Sequence, residues 1–438
     1  YGEVMLQAAI APISEEERRT EFLVQQEALK DWGRANGLPY PENETQMNAV
    51  RNAFHARIAE LKTASDAQRA PMPIARDMAR EQLQKALPHM AAALFDEKCI
   101  TLEPSVADFP GPYSVLDLYM DGRSAHGAPT AQPDAFYRAL FTDGSPYSPS
   151  RFVSSASGVN ISEVLKTIKQ LPHLSSAFKS AFSAYCSGME KSLGTQVKHL
   201  ISQQPISTRN NLELGKLTLV KEQYIDYSPF SLMPKIRERD DHKLLGKTER
   251  MGQIHTYEID LKHAKITERT DLGDFRPGRF PTGHTHPDRK LVQVIPDTPS
   301  VSGFTDEKSG ATATPDSFNS ERTSYIADAF IKHINIKALT MEAQQQTTFD
   351  SEEPFHKKVR EFMLNLIPLR SAIFNFQNGD YAEGVLDLTL DVFGFIVGAG
   401  AAAKGAKAMM SGASALSKLL HGAKIVGRTA IGSLNPFD

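Results

Sequence analysis

Cysteine is scarce in this sequence, and its scarcity excludes one class of secreted architecture. Cys99 and Cys186 are the only two cysteines, and two are too few to build a disulfide framework in a chain of 438 residues. Cys186 follows Phe182 by one helical turn on an apolar pattern. We therefore predict a packed core thiol at Cys186 and a structural role for Cys99, rather than a nucleophile at either position.

Long hydrophobic runs are also missing. The one apolar run of a dozen residues is Val392 to Ala403, with the sequence VFGFIVGAGAAA. A helix that crosses a bilayer needs about 20 apolar residues. On length alone the run predicts a buried core helix or hairpin.

Catalytic and cofactor-binding signatures are absent from the sequence. There is no GxSxG, no phosphate loop of the Walker type, no GxGxxG after a strand, no HExxH and no CxxC pair. Nucleotide use is disfavoured, and we predict no cofactor. A formal net charge of −3 provides no concentrated basic face, so we predict no nucleic-acid partner.

The N-terminus lacks a positive segment followed by an apolar core, so no standard signal peptide is predicted. A first residue other than Met, and an end at Asn435-Pro-Phe-Asp, are what we expect of a piece of a longer chain. Secretion would then use a route that needs no cleavable signal.

Composition predicts a folded chain. Hydrophobic residues make up 41% and charged residues 23%, close to globular averages, so wholesale disorder is excluded. We predict a mainly α, multi-helical fold with a small antiparallel β insertion and a C-terminal Gly/Ala-rich apolar helical hairpin. The predicted domains are a helical domain at 1–210 with a Pro/Gly-rich connector at about 96–150, a small β-containing subdomain at 211–296, a linker at 297–322, and a helical membrane-targeting or translocation-like region at 323–438.

Apolar periodicity supports this division. After Thr45 an apolar face recurs every three or four residues, as expected for a helix; it comprises Met47, Val50, Phe54, Ile58 and Leu61. Pro88 predicts a break in a helix over 74–95. Residues 254–261 alternate as a strand does, and Val115 to Met120 is predicted as another strand.

One charged stretch is predicted to stay in solvent. Arg237, Arg239, Lys243, Lys247 and Arg250 are interspersed with acidic residues. Because the signs balance, we predict a solvated face and no anion site.

The C-terminal region carries an acidic stripe beside the apolar run. Glu383, Asp387 and Asp391 recur every fourth residue, so a helix places them on one face. In apolar surroundings desolvation and mutual repulsion raise carboxyl pKa values. The three residues are therefore predicted pH sensors: once they are neutral, Tyr381 to Ala403 becomes a mostly apolar helix of about 20 residues.

A basic tail follows. From Lys404 to Phe437 the chain has no acidic residue, and a cationic amphipathic stretch of this kind is typical of membrane-engaging segments. The predicted partner is anionic membrane lipid. The predicted membrane-binding residues are Val392, Phe393, Phe395, Ile396, Val397, Lys404, Lys407, Lys418, Lys424 and Arg428. A plain core hairpin with a solvated basic helix is the open alternative.

Two segments of this region carry a resemblance to a known family. Asn365-Leu-Ile-Pro-Leu-Arg-Ser-Ala-Ile373 and Asn378-Gly-Asp-Tyr-Ala-Glu-Gly-Val-Leu-Asp-Leu-Thr-Leu-Asp-Val-Phe-Gly-Phe395 resemble a recurrent segment of large secreted bacterial toxins that carry a dermonecrotic-toxin-type domain. The region is more loosely similar to the membrane-localisation regions of multi-domain toxins. The resemblance covers about 340–438 and transfers no catalytic residue. It implies a non-catalytic virulence module of a secreted toxin or effector that acts in membrane targeting or translocation at a host membrane.

Histidines supply an alternative from a different class. His284 and His286 lie two residues apart, with His255, His263 and Asp288 nearby in sequence. Imidazoles at this spacing on an extended segment can reach one metal ion, and Zn²⁺ takes three or four such ligands. The alternative is a hydrolase or transferase acting on host protein, with its site around His255–His286.

A third reading also remains open. The segment 104–150 is rich in Pro and Gly, and loops of this kind often carry partner contacts. The chain would then be a scaffold that binds a secretion chaperone or a host protein.

Overall fold

A computed structural model describes the chain at residues 23, 26, 27, 29–105, 111–121, 149–172, 174–226, 235–238, 242–278, 289–297, 306–308, 314–343 and 352–366. Residues 29–35 are helical. The further α-helices of this described part are α1 (Glu44–Arg69), α2 (Ala75–Ala86), α3 (Val115–Asp121), α4 (Ile161–Gln170), α5 (Leu174–Ser202), α6 (Ile206–Leu214), α7 (Glu321–Ile334), α8 (Ile336–Ala343) and α9 (Glu352–Leu366).

The strands form two antiparallel sheets. They are β1 (Ile100–Leu102), β2 (Phe152–Ser154), β3 (Lys216–Asp226), β4 (Lys235–Glu238), β5 (Lys243–Arg250), β6 (Gln253–Asp260), β7 (Lys265–Glu268) and β8 (Arg289–Gln293). β1 pairs with β2, and the other six form one sheet in the order β4-β3-β5-β6-β7, with β8 also paired to β3. The described part is therefore a combination of many helices with a six-stranded sheet, and the β component is larger than the small insertion that the sequence predicts.

The chain divides into two units. The sheet unit comprises the described residues up to Arg69, those of Glu190–Ile334, and residues 365 and 366. The helical unit comprises the described residues of Ala70–Met189 and Asn335–Leu364. The division falls inside α5 and differs from the predicted bounds at 210, 296 and 322. It follows contacts between segments distant in sequence, such as the Ser192 hydroxyl, which donates to the Ala64 carbonyl at 2.7 Å.

Periodic segments have the structure that their sequence predicts. Met47, Val50, Phe54 and Leu61 of α1 are each 3% exposed. The chain leaves the helix of residues 29–35 at Gly37, whose φ of +78° suits glycine. α2 ends at Ala86, before Pro88.

Strand β5 corrects one prediction. The charged stretch that contains Lys243, Lys247 and Arg250 is not only a solvated face, because most of it forms a strand paired to β3 and β6. Leu244 and Leu245 are 0% and 2% exposed. Because two buried leucines are adjacent and Gly246 follows them, the segment does not alternate between apolar and polar residues as a typical strand does. Its charged residues therefore dominate the sequence pattern.

Helix α3 corrects a second prediction. Val115 to Met120, predicted as a strand, is α-helical. The Ser114 and Asp117 side chains each accept a hydrogen bond from the other residue's backbone N–H, at 3.0 and 2.8 Å, and this capping box begins the helix. Residues 115–120 are all buried, Asp117 included, so this short helix lacks the exposed polar stripe that marks an amphipathic helix.

The predicted linker at 297–322 contributes buried residues to the sheet unit. Ser317 and Arg322 are each 0% exposed. Arg209 of α6 donates to the Ser317 hydroxyl at 3.0 Å, to the Pro315 carbonyl, and to the Ala35 carbonyl at 2.6 Å. One guanidinium thus binds both the end of the helix of residues 29–35 and the irregular segment that contains Pro315 and Ser317.

Arg322, in the first turn of α7, donates hydrogen bonds to backbone carbonyls around the junction of α6 and β3. It donates to the carbonyls of Glu213 at 3.0 Å, Gly215 at 2.8 Å and Asp306 at 2.9 Å. Burial lowers the pKa of Arg322. These bonds provide partners that the irregular backbone cannot supply for itself.

The helical unit has an apolar interior. The Phe178 and Phe182 rings of α5 lie 5.6 Å apart between centroids, and Phe355 of α9 packs on Phe182 at 5.7 Å. Cys99 and Cys186 are both buried, which confirms the prediction of a packed core thiol at Cys186 and agrees with a structural role for Cys99.

Candidate functional site

A cluster of two histidines and one aspartate lies at one end of the six-stranded sheet. His242 directly precedes β5, Asp260 is the last residue of β6, and His263 lies in the turn between β6 and β7. Each residue offers one nitrogen or carboxylate oxygen, and these atoms lie within 4.8 Å of one another.

Strand pairing brings His242 to Asp260. Lys243 is the register partner of Asp260, and the Leu261 N–H donates to the His242 carbonyl at 3.0 Å. The backbone positions on both sides of the cluster are therefore fixed by the antiparallel ladder.

A tight turn brings His263 to the same carboxylate. The Ala264 N–H donates to the Leu261 carbonyl at 3.2 Å, and Ala264 has a φ of +47°. The His263 N–H donates to Asp260 Oδ1 at 3.1 Å, and its ring Nδ1 lies 2.7 Å from Oδ2. An Asp side chain that bonds backbone a few residues ahead is a common turn device.

The three side chains differ in burial. The Asp260 side chain is 2% exposed, that of His242 is 12% exposed, and that of His263 is 56% exposed. His242 Nε2 lies 3.9 Å from Asp260 Oδ1, and the two rings meet edge to face with 6.2 Å between centroids. The cluster thus has a buried acid, a mostly buried imidazole and an imidazole in contact with solvent.

Two imidazoles and a carboxylate can perform two kinds of chemistry. They can hold a metal ion, because nitrogen and oxygen ligands of this kind occur in three-ligand zinc sites. They can also position an imidazole as a general acid or base, because a carboxylate fixes the ring orientation.

His255, a predicted metal ligand, lies elsewhere. Its Nδ1 is 2.6 Å from Glu268 Oε1 on β7, and its ring stacks on Tyr257 with 6.1 Å between centroids. The Tyr257 hydroxyl accepts a hydrogen bond from Asn211 at 2.9 Å, and burial raises the pKa of Tyr257. Asp260 lies five positions after His255, roughly 17 Å along β6.

Of the other predicted site residues, only His263 is placed in the cluster. His284 and His286 lie outside the described residues, and so do the acidic stripe, the apolar run and the basic tail, with all their predicted residues. Among the helices that the structure does describe, none is long and apolar enough to span a bilayer.

Sequence reasoning missed His242 and Asp260. Asp260 carries a weak signal, since it stands three residues before His263 at the end of an alternating strand. His242 carries none, because only the pairing of β5 with β6 makes it a neighbour of Asp260.

Comparison of the chain with protein-family models, with curated proteins and with solved structures gives no match.

Proposed function

We propose that the chain is a non-catalytic module of a secreted bacterial toxin or effector that acts in membrane targeting or translocation. The observation that carries the proposal is the order of sequence features in 381–437. An acidic stripe, a twelve-residue apolar run and a basic tail without acidic residues follow one another. This order combines the two attractions that bring peripheral segments to membranes, which are apolar burial and charge attraction to anionic lipid.

The tail provides the first test. Each Lys or Arg close to an anionic surface contributes about 1 kcal/mol to binding. We expect the chain with the five tail cations replaced by Gln to lose most of its sedimentation with anionic liposomes. A matched control replaces five exposed lysines elsewhere: Lys85, Lys265, Lys290, Lys308 and Lys337. Equal losses in both variants would show that general charge, and not the tail, drives binding.

The stripe provides the second test. The inserted state binds more protons than the free state, so falling pH shifts the balance toward insertion. Vesicle binding is measured at pH 7.5 and pH 5. Glu383→Gln, Asp387→Asn and Asp391→Asn together should make binding less dependent on pH. An unchanged pH profile would count decisively against the mechanism.

A second candidate is an enzyme, a hydrolase or transferase that acts on host protein near His255–His286. The observation in its favour is the proximity of His263 to His242 and Asp260. The test incubates host-cell protein extract with the chain or with its His263→Ala variant, and compares the products by mass spectrometry. Cleavage or modification that needs His263 would favour the enzyme, whereas identical extracts would favour the delivery module.

A further inference from the structure

We propose that His242, Asp260 and His263 bind one divalent transition-metal ion of the Zn²⁺ class. The inference is independent of the membrane proposal, because it rests on residues that the structure places together. It also assigns a different ligand set from the one that the sequence predicts, since only His263 is common to both.

The first argument is geometric. In a tetrahedral site with bonds of about 2.0–2.1 Å, ligand atoms stand roughly 3.3 Å apart. His242 Nε2 lies 3.9 Å from Asp260 Oδ1, and His263 Nδ1 lies 2.7 Å from Asp260 Oδ2, so each separation is within roughly 0.6 Å of that value. One ligand atom from each of the three residues lies within 4.8 Å of the others.

The second argument concerns charge. The Asp260 carboxylate is 2% exposed, and a buried carboxylate is costly unless a cation or hydrogen bonds compensate it. The hydrogen bond from the His263 N–H compensates part of that cost, and positive charge can compensate the rest. A dication between the three side chains supplies that charge and converts both histidines into ligands.

The ligand types select the ion. Imidazole nitrogen suits Zn²⁺, Cu²⁺ and Ni²⁺, whereas Mg²⁺ and Ca²⁺ prefer oxygen ligands alone. Three protein ligands leave one tetrahedral position for water. The exposure of His263, at 56%, places that position next to solvent.

The ion would join three parts of the sheet. His242 stands before β5, Asp260 ends β6, and His263 lies in the turn that leads to β7. A metal that binds only the folded chain stabilises it by mass action. Zn²⁺ should therefore raise the unfolding temperature of the full chain.

The experiment titrates Zn²⁺ alone into the chelator-treated full chain by calorimetry. His284→Ala/His286→Ala serves as the background for every variant, so that ions held by those residues do not contribute. On this background we expect one equivalent of Zn²⁺ per chain. His263→Ala and His242→Ala should each weaken Zn²⁺ binding. The loss of affinity should exceed the roughly 10–100-fold that is typical when an outer-shell partner of a metal ligand is replaced. Mg²⁺ should not compete.

His255→Ala is the matched control, because His255 belongs to the same sheet and pairs with a carboxylate of its own, that of Glu268. It should bind Zn²⁺ as tightly as the background protein and show the same rise in unfolding temperature. His263 is exposed, so its replacement should leave the fold intact by circular dichroism. Binding that survives both His263→Ala and His242→Ala, or no Zn²⁺ binding by the background protein, would overturn the proposal.

Discussion

The sheet unit and the helical unit fill their interiors with different chemistry. Among the described residues of the helical unit, Ser114 and Asp117 are the only buried polar side chains, whereas the sheet unit contains many, including Arg57, Arg209 and Arg322. The helical unit thus depends mainly on apolar contacts, and the sheet unit also depends on buried hydrogen bonds.

The arginines explain why the sheet unit accepts so much irregular chain. Arg57 donates to the Asn36 amide oxygen at 2.6 Å and to the Ser202 hydroxyl, and its guanidinium lies 4.5 Å from the Phe318 ring centroid. Burial lowers the pKa of Arg57 to about 10. Arg209 and Arg322 add bonds to loop carbonyls. Planar, multiply donating guanidinium groups suit such a role, because one side chain can satisfy several acceptors.

Because of this difference, we expect the interiors of the two units to tolerate different substitutions. An apolar contact can be replaced by another of similar volume. A buried donor that holds three carbonyls has no apolar substitute, since its removal leaves those acceptors unsatisfied.

The largest effect should come from Arg322→Met. The substitution keeps the apolar stem but removes the donors to the carbonyls of Glu213, Gly215 and Asp306. We expect the free energy of unfolding to fall by at least about 3 kcal/mol, because each buried acceptor left unsatisfied costs about 1–3 kcal/mol. Urea unfolding followed by circular dichroism measures the loss. Arg80→Met is the control in the helical unit, because Arg80 makes partly exposed ion pairs with Asp77 and Asp96, which contribute only about 0–1 kcal/mol. Similar losses of unfolding free energy in both variants would show that the buried hydrogen bonds of Arg322 contribute no more to stability than the exposed ion pairs of Arg80.

A smaller loss is expected from Gly37→Ala in the sheet unit. Gly37 has a φ of +78°, and a Cβ there would lie 2.6 Å from the Thr314 carbonyl oxygen. Left-handed backbone costs a non-glycine residue about 1–3 kcal/mol, and the clash adds to that cost. Gly252→Ala is matched, since Gly252 has a φ of +76° with no atom near its Cβ position. The excess loss in Gly37→Ala, measured by thermal unfolding, isolates the contact with the loop.

Phe182→Met should cost the helical unit less, about 1 kcal/mol. Phe182 is 1% exposed among apolar neighbours, and methionine adapts to irregular apolar space. The introduced residue is the same as in Arg322→Met, so urea unfolding compares the two interiors directly. A loss as large as that of Arg322→Met would mean that the interior of the helical unit tolerates substitution no better than that of the sheet unit.

The smallest expected effect is a dependence of folding stability on pH that is caused by Glu213. Burial raises the pKa of this carboxyl, and its Oε2 accepts a bond from the Ser320 hydroxyl at 2.7 Å. A raised carboxyl pKa gives stability that is present below the unfolded pKa and is lost as pH rises through the folded one. The wild type should therefore lose stability relative to Glu213→Gln as pH rises above about 4.3, the ordinary glutamate pKa.

Glu81→Gln in the helical unit should show the opposite slope. Its hydrogen bond with Lys85 lowers the pKa of Glu81, so the wild type should lose stability relative to this variant as pH falls. Unfolding curves over the same pH range measure both differences. Equal slopes for the two variants would contradict the burial argument.

Much of the fold could be predicted where periodicity is strong. The α1 face, the end of α2 before Pro88 and the alternation in β6 all lie in the sequence. β5 and α3 could not be predicted, since β5 has charges around a short buried core and α3 is a short helix whose residues 115–120 are all buried. The buried arginines leave no local signal, because their partners lie up to 174 residues away.

The candidate site shows the same limit. His263 could be singled out from residue type, but its neighbours in the structure, His242 and Asp260, could not. His255 lies on the same strand as Asp260, yet it pairs with Glu268, whereas His242 reaches Asp260 through strand register alone. Spacing in sequence identifies ligands on one turn or one helix, and it does not identify ligands that meet across a sheet.

Arg322 also affects the order in which parts of the chain can fold during synthesis. The carbonyls of Glu213 and Gly215 receive their donor from a residue 109 and 107 positions later. At roughly 5–20 residues per second, the ribosome needs about 5–20 seconds to make that interval. Until then the junction of α6 and β3 has to remain hydrated. Nascent chains that stop before Arg322 should therefore be cut by protease at this junction, and chains that extend well past it should resist.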